Sequence, residues 1–193
     1  MASNSILQGF SISDVEEMIS ENPSLRGYLH GYLAERVLKK KLEAVPGVTS
    51  VAKIPDSVPE KGDFRVIYNS TPITIEVKSI ATESVRENLL TQTWQGLVKI
   101  KNTDKRDIEV DGIGVISSSK LLKGQFDILA ICCFAVSGEW DFVFIENKYI
   151  PEDEIPGLLK TSFVINPADT PGLTNDIAKL LDKTYLNKCG LTN

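Results

Sequence analysis

The chain has 193 residues and a mass of 21.3 kDa, with 42% hydrophobic and 24% charged residues. That length and mixture suit one globular domain with a sizeable core, and they exclude collagen-like, mucin-like and largely disordered chains. The net charge of −5 argues against a nonspecific nucleic-acid coater, so any DNA contact must come from a local basic surface. No run approaches the roughly 18 apolar residues of a membrane span. The start MASNSILQGFSISDVEEM lacks a basic segment followed by an apolar core, so a cytoplasmic location without membrane contact is expected.

His30 is the single histidine, so Ser-His-Asp or Cys-His chemistry would rest on it alone. A His-rich metal site or an HEXXH zinc helix cannot be built within the chain. Cys132, Cys133 and Cys189 are an odd set with no zinc spacing; they read as reduced, with Cys132 and Cys133 alternating across a strand.

Residues 11–22 predict a short helix capped by Ser11 or Ser13, and Asn22-Pro23 punctuates it. Ser24 is expected to cap a longer helix over about 25–44, which Pro46-Gly47 ends. Short β-rich runs follow at 48–54, 64–68 and 73–78, with a loop at 56–62 and a turn-rich linker over 69–72. Residues 82–95 predict a helix capped at Thr82 or Ser84, and 97–101 a strand. One or two strands are expected over 107–117. Residues 126–136 and 140–145 predict a hairpin whose core includes Phe126, Trp140 and Phe142. The stretch 151–172 is expected to be mostly loop, and 173–187 a final helix. This order reads as an α/β (α+β) domain with helices flanking a central sheet.

The informative stretch is GDFRVIYNSTPITIEVKS, residues 62–79. Alternation in ITIEVK puts Ile73, Ile75 and Val77 on a core face, and Thr74, Glu76 and Lys78 on the other. A turn centred on Ser70-Thr71 would set Arg65 opposite Glu76 and Asp63 opposite Lys78. Asp63 and Glu76 would then be diagonal neighbours with room between their carboxylates for a hard divalent cation, Mg²⁺ or Mn²⁺. The same face also reads as solvated charge, with Glu76 paired to Arg65 and Asp63 to Lys78.

Asp63, followed after residues 64–75 by Glu76-Val77-Lys78, resembles the PD-(D/E)XK nuclease motif. The resemblance covers about 25–145: a long helix precedes the motif, a hairpin carries it and a helix is expected after it. Gly62 stands where the superfamily often has proline. The resemblance implies a restriction-endonuclease-like core, a mixed central β-sheet flanked by helices. One nuclease domain would then span 1–193, with a C-terminal loop and helix over 151–193. It further implies Mg²⁺, with Mn²⁺ as a substitute, held by Asp63, Glu76 and the Val77 carbonyl, and Lys78 orienting or deprotonating a water. Glu35, on the stripe of the first long helix shared by Tyr28, Gly31, Leu38 and Leu42, matches a glutamate the family often places there. Otherwise Glu35 pairs with Lys39 one turn on.

Lys99, Lys101, Lys105 and Arg106 form a basic run suited to phosphate, and Gln92 and Gln95 precede it. Asn88 and Asn102 carry amides of the kind that read base edges. His30 is expected to pack rather than react. The activity implied is hydrolysis of double-stranded DNA by a homodimeric type II restriction endonuclease. The alternatives are a structure-specific or repair nuclease with the same site, and a non-catalytic binding domain that merely carries these charges.

Overall fold

The computed structural model describes residues 7–55, 58, 62–88, 93–101, 105–110 and 112–191. Ser11 opens α1 (Ile12–Glu21) with a capping box: its side chain accepts from the Asp14 N–H while the Asp14 carboxylate accepts from the Ser11 N–H. Asn22 then serves both helices. Its amide donates to the Met18 carbonyl at 2.7 Å, and it is the N-cap of α2 (Pro23–Glu43). Pro23 is therefore the first helical residue, where a missing N–H costs nothing. Ser24 lies inside the helix and does not cap it, contrary to expectation.

Next come β1 (Val48–Lys53), β2 (Phe64–Tyr68) and β3 (Thr71–Ser79), a meander of antiparallel neighbours. After a short 3-10 turn the chain forms β4 (Arg86–Asn88) and β5 (Thr93–Lys99), which pair antiparallel. The helix expected over 82–95 is absent; the described parts of that stretch are turn and strand. The reason lies in sheet pairing. Arg86–Asn88 pair with Thr93–Gln95, and Gly96 to Lys99 carry the same strand on to pair with Ser162–Ile165, so sheet partners override local helical preference. Gly96 is required there, since a Cβ would meet the Ile80 side chain at 2.5 Å.

The hairpin of β6 (Arg106–Val110) and β7 (Gly114–Ser118) leads to β8 (Ile128–Cys132). Every residue of β8 is buried, as its continuous apolar run implies for an interior strand. A one-turn helix, α3 (Phe134–Ser137), joins it to β9 (Phe142–Glu146), so the expected hairpin exists with a helical connection. β10 (Ser162–Ile165) interrupts the expected loop, and α4 (Ile177–Lys188), capped by Asp176, ends the described fold.

The central sheet has the order β1-β2-β3-β8-β9, mixed because β3 and β8 are parallel. A second sheet, β10-β5-β4, sits beside it. On one face Ala34, Leu38 and Leu42 of α2 and Leu180 and Leu181 of α4 pack on the sheet. Leu129 and Ile131 of β8 pack on the other face against Val98, Phe163 and Ile165. This is the mixed α+β class expected, with helices flanking the sheet. Cys132 and Cys133 are buried, free, and divided between the two clusters, as alternation predicts. Among the described residues no helix is long and apolar enough to cross a membrane.

Candidate active site

Asn69 and Ser70 both adopt left-handed backbone, φ 45° and 66°, which makes a two-residue hairpin turn matched to strand twist. Tyr68 therefore faces Thr71, and Phe64 faces Ile75. The expected register was centred one residue later, so every partner shifts by two. Arg65 lies opposite Thr74, not Glu76, and Asp63 is not opposite Lys78. An even shift keeps each side chain on its face. Asp63 sits in a bend just before β2, where the ladder ends, and its hydrogen bonds to Ile75 and Val77 hold it against the stretch of β3 that carries Glu76.

Asp63 is anchored at both ends. Its N–H donates to the Ile75 carbonyl at 2.8 Å, and its carboxylate accepts from the Val77 N–H at 2.6 Å. Gly62 permits this approach with φ 106°, because a Cβ there would crowd the Ile75 carbonyl. Glu76 is only 7% exposed and is ion-paired with Lys78. A freely solvated hairpin face does not bury a carboxylate to that degree.

These charges are felt in the titration behaviour. Burial, and then the nearby Glu76 charge, push the Asp63 carboxyl up to about 6, against opposing pulls from Lys78, the Val77 N–H and Lys53. Burial alone would depress Lys78, but Glu76, Asp63 and Glu35 outweigh it and hold the amine above its ordinary value. Lys78 is thus held as a cation by the surrounding carboxylates, which suits it to orienting a water or phosphate.

Glu35, on α2, reaches the same centre. Its partner is Lys53 at the end of β1, not Lys39, which pairs with Glu43 at 3.7 Å. The Lys53 ammonium also lies 5.1 Å from the Tyr32 ring centroid. Nothing in the local sequence around Lys53 marked it, since only the sheet brings β1 beside α2. Glu35, Lys53, Asp63, Val77 and Lys78 line a cleft of about 1100 Å³. His30 lines it too, and packs between Phe134 and Trp140 at 5.2 and 4.9 Å, as expected of a packing residue.

The basic run is dispersed. Lys99 reaches the cleft and pairs with Glu83 at 3.5 Å. Gln95 is exposed on β5 opposite Arg86, and Lys101, Lys105 and Arg106 are exposed away from the cleft lining. Gln92, Asn102 and the side chain of Asn88 lie outside the described residues.

Among the described residues no three His, Cys, Asp or Glu side chains form a ready cage for a metal. The donors present suit a cation that keeps much of its water. Two carboxylates lie close enough to interact: Glu76 is buried, Asp63 has raised proton affinity, and Asp63 and Val77 border the cleft. Mg²⁺ is bound in this manner, by one or two carboxylates plus water, so the residues fit it.

No protein-family model and no curated protein matches the sequence. Among solved structures, the chain is similar to that of a bacterial homing endonuclease. The two are 13% identical, the match covers 86% of this chain and 95% of that one, and the TM-score is 0.40.

Proposed function

We propose that the protein is a Mg²⁺-dependent DNA endonuclease of the PD-(D/E)XK type, cutting double-stranded DNA as a homodimeric type II restriction enzyme. The observation that carries this reading is Asp63 bonded to the Val77 N–H beside buried Glu76, in a partly dry site that pushes the Asp63 carboxyl up to about 6. Such a pair calls for positive charge, and Lys78 beside it supplies only part. Asp63, Glu76 and the Val77 carbonyl would hold the metal. When bound, it would lower the pKa of a water and neutralise charge on the phosphate.

The chain's own residues have distinct tasks. Lys78, held as a cation, donates hydrogen bonds to the attacking water or to a phosphate oxygen and so orients it. Glu35, steadied by Lys53, faces the cleft and accepts a hydrogen bond from the incoming water. Asp63 is held rigidly by the Val77 N–H. The supported reaction is in-line hydrolysis, in which the water oxygen bonds to phosphorus as the bond to the leaving sugar oxygen breaks.

Digestion of a panel of plasmid and phage DNA with Mg²⁺ and with EDTA tests this. Discrete Mg²⁺-dependent fragments, lost in Glu76→Ala, are expected, with a dimer by light scattering. Smears or cuts confined to junctions would instead indicate the structure-specific alternative. Undiminished cleavage by Glu76→Ala would sink the site assignment.

A further inference from the structure

The cleft extends well beyond the carboxylates, along the N-terminal half of α2. Tyr28 and Tyr32 stand one helical turn apart there, and both line the cleft. They are 63% and 58% exposed, although ring burial is worth far more to a fold than ring exposure. At about 1.5 Å of rise per residue they lie about 10 and 4.5 Å along the helix from Glu35. Cations accompany them. Lys53 sits over the Tyr32 ring, Arg26 lines the cleft from α2, and Lys99 lines it from β5. The cleft lining carries Arg26, Lys53, Lys78 and Lys99 against Glu35, Asp63 and Glu83, so in a chain of net charge −5 the exposed rings stand in a lining that is locally balanced to slightly positive.

Aromatic faces interleaved with cations match an unpaired nucleotide, whose base stacks while its phosphate meets ammonium or guanidinium. A duplex presents phosphates but keeps its bases stacked on one another. We propose that Tyr28 and Tyr32, with Arg26 and Lys53, form a stacking subsite for an unpaired nucleotide adjoining the Asp63–Glu76 centre. DNA carrying a single-stranded or extruded base is then bound in preference to perfect duplex. This rests on the hydrolase reading above only for the metal-dependent cleavage beside the subsite; with the subsite, the substrate is the structure-specific one of that reading in place of the restriction enzyme's perfect duplex.

The test is fluorescence anisotropy on the full chain in EDTA, which stops metal-dependent cleavage. Three labelled DNAs of equal length are compared: single-stranded, perfectly paired, and paired with one bulged nucleotide. The single-stranded and bulged DNAs are expected to bind more tightly than the duplex. Tyr28→Ala and Tyr32→Ala should each weaken that binding by about 5- to 100-fold and leave duplex binding unchanged, with Tyr→Phe restoring it. Gly31→Leu provides an independent arm. A Cβ at Gly31 meets nothing within 4 Å, so leucine projects into open space without clash and improves helix propensity. It should weaken the same two DNAs in a well-folded protein. Equal affinity for all three DNAs, no binding, or tyrosine variants indistinguishable from wild type overturns the subsite. The two readings fail separately: preferential binding without Mg²⁺-dependent cleavage leaves the subsite and removes the hydrolase, whereas cleavage indifferent to the tyrosines does the reverse.

Discussion

Asp63→Asn removes a charge while keeping side-chain volume and an oxygen that accepts from the Val77 N–H. In the folded protein the Asp63 carboxyl rises from 3.8 to about 6, chiefly through burial and the Glu76 charge. A raised carboxyl pKa means that the native state holds this proton more tightly than the unfolded chain does. Its stabilising effect is complete below 3.8 and is lost as pH climbs through about 6. The gap corresponds to about 3 kcal/mol lost by pH 8. Asparagine never carries that charge. In EDTA at pH 8 the variant is therefore expected to be more stable than wild type by up to about 3 kcal/mol. For a chain of this size that is a melting temperature about 6–12 °C higher. At pH 4.5 the advantage shrinks to about 1 kcal/mol. At pH 8, Mg²⁺ removes most of that advantage: at 100 times its Kd it stabilises wild type by about 2.7 kcal/mol and leaves the variant, short of one ligand, almost unmoved. Thermal unfolding followed by circular dichroism from pH 4.5 to 8, with EDTA and with Mg²⁺, reads all three effects. A variant less stable than wild type at pH 8 in EDTA would refute the electrostatic reasoning. So would a pH-independent difference with no response to Mg²⁺.

Three further expectations are independent of that one. Lys78→Ala should reduce kcat by about 10²–10³ with an unchanged far-ultraviolet spectrum, whereas Lys78→Arg, which keeps the charge, should recover part of the loss; equal rates would remove Lys78 from the site. At the far end of β9, burial pushes the Glu146 carboxyl up, but Lys183 at 2.6 Å and Lys148 at 3.0 Å outweigh it and hold the group below the usual glutamate value. The stability it contributes is present above about pH 4.5 and lost as pH falls through the lowered value, so Glu146→Gln should flatten the acid limb of a stability–pH curve and leave the centre at β3 untouched. Cys189 is exposed, while burial pushes Cys133 up to about 12 and raises Cys132, so native protein should react quickly with a thiol reagent at one cysteine, and unfolded protein at all three.

Local pattern alone located most elements and marked Glu76-Val77-Lys78 as the candidate triplet. Ser11 and Asp14 announce α1, the apolar run ILAIC announces an interior strand, and alternation through ITIEVK separates Ile73, Ile75 and Val77 from Glu76 and Lys78. These features depend on residues within a few positions of one another, so one-dimensional periodicity carries them. Asp63 and Glu76 were also recognisable as partners, because parity survives a two-residue error in register. What distant contacts decide could not be read in this way. Residues 96–99 are strand with β10, far along the chain, as their partner. The turn centre depends on Asn69 and Ser70 both accepting left-handed backbone, a choice that Pro72 nearby disguised. The pairing of Glu35 with Lys53, the drying of Glu76 and the joining of Tyr28 and Tyr32 to the carboxylate centre all need α2 laid across β1 and β3. Burial and Coulomb interactions depend on distance through space. The sequence therefore determined which groups are the candidates for chemistry, and only the tertiary structure decided their partners, their protonation and their surroundings.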